Sequence, residues 1–323
     1  MSIAAGTTPV SSRNGQRPAF ARSMSNRFGD AAMAISSGIA TLIVLAMLTI
    51  ILVDVLNHGL SHLSITFLTE APKEGMTAGG IFPAIVGMVE MVILMTVAGV
   101  PVGVATAIYL HEYAPAEARL TRLIRIAVAN LAGVPSIVFG LFGLGFFVQF
   151  LGAGIDEVFF HGEKVYGQPA LLWAALTMAV LTLPVVIVAT EEALRAVPRE
   201  LREASLALGA TKFQTVLHVV VPQASAGILT GMILAVSRGA GEVAPILFTG
   251  AAYFLPHLPK GLSSQFMTPS YHVYVLATQS PDVDASKPIL YSTVLVLLAL
   301  TFVLNIAAII VRARMRRQSG LAH

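Results

Sequence analysis

Six long stretches of this sequence are almost free of charged residues, and this feature limits the possible folds more than any other. Each stretch reaches or exceeds the roughly 18 apolar residues that cross a bilayer as a helix. Only the fifth contains charge, as one arginine and one glutamate. The stretches are residues 31–53, 91–110, 126–155, 165–190, 219–256 and 288–311. Because lipid offers the backbone no hydrogen-bond partner, we predict an all-α polytopic membrane protein with six transmembrane helices.

Composition excludes several other classes of protein. Charged residues make up 11% of the chain, less than half of the roughly 25% that is typical of soluble domains. The net charge of +3 is accompanied by no basic run interleaved with aromatic residues, so we expect no nucleic-acid partner. Cysteine is absent and the eight histidines lack the spacing of metal ligands, so we predict no metal site.

The positions of the basic residues predict the orientation in the membrane. Lys and Arg near helix ends are retained on the cytoplasmic side. The larger group is Arg13, Arg17, Arg22, Arg27, Arg119, Arg122, Arg125, Arg195, Arg199, Arg202, Lys212, Arg312, Arg314, Arg316 and Arg317. The loops on the opposite side hold Lys73, Lys164, Lys260 and Lys287. We therefore predict that both termini face the cytoplasm.

Regions outside the apolar stretches define the predicted domains. Residues 1–30, rich in Ser, Arg and Asn, predict a disordered basic cytoplasmic tail, and residues 31–318 form the six-helix transmembrane domain. The outer loop 253–287 mixes aromatics with Pro, Ser and Gly, and its portion SSQFMTPSYHVYVLA favours a short helix at the interface. Both an ordered cap over the bundle and a docking surface for an outer partner remain open for this loop.

The inner loop 191–224 predicts a helix, a turn and a second helix. Pro198 suits the first turn of a helix, Gly209 suits the left-handed position just past its end, and Thr211 suits the cap of the next helix. The first helix is amphipathic, so it fits either the membrane surface or packing against the bundle or a groove. Its small and apolar face holds Leu201, Ala204, Ser205 and Leu208, and its charged face holds Arg199, Glu200, Arg202 and Glu203.

The fifth stretch contains its two charges within AVSRGAGEVAPI, residues 235–246. If this span begins near Ser225, Arg238 lies about 20 Å along the helix, inside a hydrocarbon core of roughly 30 Å. A guanidinium at that depth costs between about 2.5 and more than 10 kcal/mol, so it should face the bundle interior or a watery path. Glu242 lies four residues later on the same helix face, which predicts an intrahelical ion pair.

Two roles are open for this pair. It can hold the bundle together, although a buried ion pair is seldom more stabilising than apolar residues of similar size. Alternatively, Arg238 lies on a substrate path, binds a passing tetrahedral oxyanion and is held by Glu242 when the path is empty. Gly239 and Gly241 leave room for a substrate or for close helix approach. We expect Glu90 to be solvated near the outer interface, with pairing to Arg238 as the alternative.

The inner loop resembles a known signature. Glu203-Ala204-Ser205, three residues, Gly209, nine residues and then VVVP at 219–222 is similar to the EAA signature of ABC-transporter permease subunits, which reads E-A-A, three residues, G, nine residues, I-x-L-P. This chain departs from it only by small or apolar replacements. In that family the loop forms coupling helices that dock on the ATPase subunit, so the resemblance implies an ATPase contact at 199–212. The implied contact residues are Leu201, Glu203, Ala204, Ser205, Leu208 and Gly209.

Further segments resemble the PstA type of this family, the permease of the phosphate-specific importer. They are TAGGIFPAIVG at 77–87, AIYLHEYA at 107–114, NLAGVPSIVFGLFGLG at 130–145, SRGAGEVAPILFTGAA at 237–252 and YHVYVLATQSPD at 271–282. The resemblance implies the fold of a type I ABC importer permease in the bacterial inner membrane. The substrate-path residues that it implies are Ser237, Arg238, Gly239, Gly241 and Glu242.

The same resemblance implies the partners and the energy source. They are a PstC-like sister permease, two PstB-like ATPase subunits and an outer PstS-like phosphate-binding protein. The sequence contains no G-x-x-x-x-G-K-[ST] motif, so we expect this chain to have no catalytic residues and to bind no cofactor, with ATP and Mg²⁺ held by the partner ATPase.

Other functions remain compatible with these residues. The first alternative is a different ABC permease, either a PstC-type sister subunit or a permease for another oxyanion, because Arg238 alone does not separate phosphate from arsenate or sulfate. A secondary carrier driven by an ion gradient would need no ATPase, but such carriers usually show two repeated halves, which this sequence lacks. A regulatory role that reports substrate status is compatible with transport.

Overall fold

The computed structural model describes residues 24–115, 117–280 and 282–320. The chain divides into two units, residues 1–54 and 55–323. The first unit holds most of helix α1, Met24–Gly59. The helices of the second unit are α2 Ile65–Thr69, α3 Phe82–Ile108, α4 Arg119–Ala132, α5 Ser136–Phe142, α6 Ala153–Phe159, α7 Leu171–Arg195, α8 Arg199–Ala207, α9 Lys212–Thr215, α10 Val221–Gly241, α11 Ala244–Thr249, α12 Pro269–Thr278 and α13 Val283–Gly320.

Wider π-helical turns continue several of these helices. One at Tyr109–Tyr113 extends α3, one at Gly143–Gly152 joins α5 to α6, and one at Val216–Val220 joins α9 to α10. Such turns often occur near functional sites. A short antiparallel hairpin pairs β1, Pro72–Lys73, with β2, Ala78–Gly79. It precedes α3.

Six helical stretches in the described part of the chain are long and apolar enough to cross a membrane. This result confirms the predicted number of transmembrane helices. The stretches are Gly29–Gly59, Phe82–Tyr113, Ser136–Phe159, Leu171–Arg195, Lys212–Gly241 and Val283–Arg314.

Several predicted boundaries differ from the structure, among them those of the N-terminal tail and of the third span. Most of the tail predicted at residues 1–30 lies outside the described residues, but α1 already begins at Met24. The third span, predicted at 126–155, starts only at Ser136, after α4 has ended. Pro135 accounts for this break, because proline has no N–H to donate and its ring obstructs a continuing helix.

The core of the second unit lies on the seam between α3 and α7. Met88, Met91 and Met95 of α3 and Met178 of α7 are at most 1% exposed. Unbranched thioether side chains fit irregular gaps between helices, and in a bilayer such close van der Waals packing is what holds helices together. This seam fixes the level of the charged pair described below.

The short helix predicted in the outer loop forms as α12. The hydroxyl of Thr268 accepts a hydrogen bond from the Tyr271 N–H and caps the helix. Its buried face, which includes Val275 and Leu276, joins a cluster with Ile289 and Val296 of α13. This arrangement favours an ordered cap for this segment, and the docking alternative stays a prediction.

Candidate functional site

The ion pair predicted from the fifth stretch is present in the structure, but it is not intrahelical, because Glu242 lies just past Gly241, the last residue of α10. Arg238 Nε lies 3.5 Å from Glu242 Oε1, and the two side chains are 55% and 21% exposed. The guanidinium therefore opens onto the surface of this chain, whereas the carboxylate is mostly covered. Among the described residues, neither side chain has another ion-pair partner or a hydrogen bond. The remaining donors of Arg238 are free to bind a ligand.

The helix that carries the arginine ends at this pair, which corrects the prediction of a span running on to residue 256. The last helical residue is Gly241, and Glu242 is extended, with φ −74° and ψ 142°. Pro245 explains the end, because in a continuous helix it would leave the Gly241 carbonyl without a donor and its ring would clash with that oxygen. The pair thus lies at a break between α10 and α11, where discontinuous helices of transporters often bind their substrates.

The level of the pair in the bundle is set by its neighbours. The span begins at Lys212, so the depth predicted from a start near Ser225 does not apply. Gly239 packs against Met95, at the middle of α3, and Met178 of α7, and a Cβ on it would lie 2.7 Å from the Met95 sulfur. The pair therefore lies at the end of its own helix, but at the level of the middle of α3.

The other predicted path residues take different positions. The Ser237 hydroxyl donates to Asn305 Oδ1 of α13, so this side chain is bonded to the bundle. Gly241 has open space around it, because a Cβ there would meet nothing within 4 Å. Gly239 therefore allows two helices to approach closely, and Gly241 leaves room beside the charged pair.

Residues at the start of α12 border the helix break. The Ser270 hydroxyl donates to the backbone carbonyl of Glu242 over 3.4 Å. His272, one turn away from the Thr268 cap, is 1% exposed, and its Nδ1 has no partner among the described residues. Burial lowers the pKa of His272 to about 4, so its imidazole is neutral at physiological pH. This histidine therefore adds no positive charge to α12.

Glu90 does not pair with Arg238. No ion pair joins it to any described residue, and it lines a cavity together with Lys260 of the outer loop. The alternative of a Glu90–Arg238 pair is therefore wrong.

The inner loop folds as predicted into helix, turn and helix. Its first helix, α8, is followed by Gly209 in the left-handed region, with φ +86°. Thr211 caps α9 in a reciprocal arrangement with Gln214. Pro198 precedes the first helical residue as its N-cap, one position earlier than predicted. The hydroxyls of Ser205 and Thr215 lie 2.9 Å apart and connect the two helices.

The predicted apolar face of α8 points away from the bundle. Leu201 is 37% exposed, Leu208 is 90% exposed and the nearby Phe213 is 65% exposed. Glu203 and Ala204 are exposed as well. An apolar surface of this kind on a membrane protein is available to a partner. We name the surface formed by these five residues the coupling face.

Arg202 was predicted on the solvent face of α8 but is held inside. Its guanidinium donates to Glu112 Oε1 at 2.9 Å, to the Leu194 carbonyl at 2.8 Å and to the Val197 carbonyl at 2.6 Å. The Arg202 and Glu112 side chains are only 18% and 9% exposed. This side chain therefore fastens α8 to the ends of α3 and α7.

A second arginine reinforces the same junction. Arg125 of α4 donates to the Leu110 carbonyl at 2.9 Å and lies 3.4 Å from Glu191 Oε1 of α7. Leu110 and Glu112 both belong to the π-helical turn that extends α3. The end of α3 is thus held by one arginine from α4 and another from α8. No local pattern predicts these contacts, since the Arg202–Glu112 pair joins residues 90 positions apart.

Comparison with known proteins places the chain among transport components. The family described as "Binding-protein-dependent transport system inner membrane component" matches residues 99–317. The probable ABC transporter permease protein YqgI of Bacillus subtilis is 32% identical, over 77% of this chain and 84% of that protein. The phosphate transport system permease protein PstA of Haemophilus influenzae is 34% identical, over 72% of this chain and 73% of that protein.

A third relative is more similar over a shorter region. The phosphate transport system permease protein PstA 1 of Mycobacterium tuberculosis strain H37Rv is 41% identical over 53% of this chain. The match spans about half the length of that relative, 50%.

Solved structures share the fold. A bacterial alginate ABC transporter crystallised with a periplasmic protein superposes with a TM-score of 0.63 at 13% identity, over 89% of this chain and 96% of that chain. The MetNI methionine ABC transporter in an inward-facing conformation gives a TM-score of 0.56 at 18% identity, over 73% of this chain and 97% of that chain. These structures confirm the predicted type I importer fold. The chain belongs to the binding-protein-dependent transport system inner membrane component family and is an ABC permease of the PstA type.

Proposed function

We propose that this chain is the PstA-like permease subunit of an ATP-driven importer of inorganic phosphate. The observation that carries the proposal is the half-exposed Arg238 guanidinium at a break in a spanning helix. Its planar set of donors fits a tetrahedral oxyanion, and the open space at Gly241 leaves room beside it. The names of the PstA relatives support phosphate as the substrate.

Arg238 and Glu242 have complementary tasks in this proposal. The arginine binds the anion during passage, and the carboxylate holds the guanidinium when the path is empty. An ion-pair distance of 3.5 Å suits this exchange, because binding in a transport path must be weak enough for release.

The partners and orientation follow from the same proposal. An importer of this family works with ATPase subunits and a binding protein, which we identify as PstB-like and PstS-like, and a PstC-like sister permease completes the path. ATP and Mg²⁺ are bound by the ATPase subunits. Both termini are cytoplasmic, as the distribution of basic residues predicts, and the coupling face is therefore on the side of the ATPase.

Uptake measurements test the substrate and the energy source. Cells that lack their own phosphate importers and carry this chain with its partner subunits should accumulate labelled phosphate in an ATP-dependent manner. A protonophore that leaves cellular ATP intact should not abolish this uptake, whereas a secondary carrier would stop. Accumulation of labelled sulfate in place of phosphate would contradict the assignment and favour a permease for another oxyanion.

The coupling face yields a separate prediction for assembly. Glu203→Lys is expected to reduce co-purification of the ATPase at least about tenfold, which corresponds to about 1.4 kcal/mol of binding free energy. The reason is that the substitution reverses a charge in the middle of the exposed face. The measurement is the amount of ATPase recovered with the tagged permease at equal membrane insertion.

A matched control for this charge reversal is Glu117→Lys. Glu117 is 95% exposed in the connection between α3 and α4, outside the coupling face. ATPase recovery should remain at the wild-type level in this variant. Equal recovery in the Glu203→Lys variant would show that the ATPase docks elsewhere.

A further inference from the structure

A second pair of opposite charges faces a cavity that the charged pair at the helix break does not touch. The cavity measures about 390 Å³ and its charged lining residues are Glu90 of α3 and Lys260 of the outer loop. Among the described residues, neither makes an ion pair or a side-chain hydrogen bond. The rest of the wall is apolar and comprises Ile93, Leu94, Leu171, Pro259, Gly261 and Leu262.

The loop that carries Lys260 is fixed at the start of α7. The Leu171 N–H donates to the Ser264 carbonyl at 2.8 Å, and the Leu172 N–H donates to the Leu262 carbonyl at 3.0 Å. The Lys260 N–H donates to the Ser264 hydroxyl at 3.3 Å. These bonds satisfy donors at the helix N-terminus and hold the loop in place. The backbone of Lys260 is therefore held at the start of α7.

The cavity lies nearer the N-terminal ends of α3 and α7 than the level of Arg238 does. Its wall includes residues of α3 that precede Met95 and the first residue of α7, which precedes Met178. Met95 and Met178 are the two residues that contact Gly239, next to Arg238. At 1.5 Å per residue, the separation is about 10 Å along α7, from Leu171 to Met178, and about 7.5 Å along α3, from Glu90 to Met95. The cavity is also at the opposite end of α7 from the coupling face.

We propose that the Lys260 cavity is a second binding station for the transported oxyanion, on the outer side of Arg238. A lysine ammonium is a compact charge that binds phosphate oxygens, and Lys260 is exposed, so an anion can reach it. Glu90 weakens the binding, as Glu242 does at Arg238, so that the anion can leave. This inference rests on the proposed anion substrate, because the station serves the same path.

The absence of cysteine from the chain makes occupancy of this cavity measurable without transport. Leu262→Cys places one thiol on the wall of the cavity, at a side chain that is 43% exposed. The assembled complex is treated with a charged methanethiosulfonate reagent in detergent, and label on this chain is counted after the subunits are separated. Inorganic phosphate is then titrated as the protecting ligand.

The two charges should change this protection in opposite directions. Lys260→Gln in the Leu262→Cys background should raise the half-protecting phosphate concentration about tenfold or more, the effect of losing one charged hydrogen bond. Glu90→Gln should lower it, because a repelling carboxylate is removed. Lys164→Gln removes an exposed lysine from another loop on the same side and should leave protection unchanged.

Three results would overturn the station. The first is that phosphate gives no protection in the Leu262→Cys protein, and the second is an equal loss of protection in both charge variants, as a simple ion-pair gate would give. The third is protection by phosphatidylethanolamine vesicles without added phosphate, which would assign the cavity to a lipid headgroup. Labelling does not require transport, so it tests the second station separately from the proposed function. The proposed function is contradicted by a different result, normal phosphate uptake in an Arg238 variant.

Discussion

Arg238→Gln is expected to reduce phosphate uptake at least about 100-fold while the ATPase subunits stay bound. Glutamine keeps a polar side chain but removes the charge and the planar set of donors. A charged hydrogen bond contributes about 1.5–3 kcal/mol, and an anion inside the spans has few other groups to replace it. Because each 1.36 kcal/mol changes a rate tenfold, a loss near the upper end of this range gives the expected effect.

The measurement is the initial rate of labelled phosphate uptake at equal membrane insertion, with ATPase recovery from the same membranes. Arg312→Gln is a matched control, because Arg312 also bonds to the α10 span, through the Thr230 hydroxyl at 3.2 Å, but is remote from the break. It should retain most of the uptake. Normal uptake in the Arg238→Gln variant would reduce the charged pair to a structural contact and remove the main reason for an anion substrate.

Arg202→Gln is expected to leave the ATPase bound but to separate ATP hydrolysis from transport, with uptake falling at least about tenfold. The substitution removes the ion pair to Glu112 and weakens the bonds to the Leu194 and Val197 carbonyls. Breaking a buried ion pair by removing one partner typically costs about 3–5 kcal/mol, and Glu112 is only 9% exposed. If α8 detaches from the end of α3, water reaches the Glu112 carboxylate and this cost is relieved. We therefore expect α8 to detach, and its movement is then no longer transmitted to the spans.

The readouts are uptake and the stimulation of ATPase activity by the loaded binding protein. Arg199→Gln is the control, because Arg199 is an exposed arginine of the same helix without a bond to α3. The double variant Glu112→Gln with Arg202→Gln should be less defective than Arg202→Gln alone, since no carboxylate is left unpaired. If the Arg202→Gln variant takes up phosphate at the wild-type rate, with ATP hydrolysis still coupled to uptake, another contact transmits the movement of α8.

The features predicted well from the sequence are those that local chemistry determines. Uncharged length determined the number of spans, because lipid leaves the backbone no alternative to a helix. Proline, glycine and threonine at fixed offsets determined the turn around Gly209, and a four-residue spacing placed Glu242 within reach of Arg238. Each of these predictions depended only on residues close together in the chain.

The features that were missed depend on contacts between distant residues or on one overlooked proline. The break after Gly241 required reading Pro245 as a helix terminator inside an apolar run. The internal position of Arg202 could not be predicted, because helical periodicity places it on the polar face and its partner Glu112 lies on another helix. The shared cavity of Glu90 and Lys260 could not be predicted either, because the two residues are far apart in the sequence.

The exposure of Leu208 has a consequence for the life of the subunit before assembly. A side chain that is 90% exposed, beside Phe213 and Leu201, leaves a newly inserted copy with an apolar patch in water. Such patches promote aggregation and are recognised by proteases and chaperones. If the ATPase docks on the coupling face as proposed, we expect copies without an ATPase to be removed, so that exposure of Leu208 limits the permease to the number of copies that have found their partner.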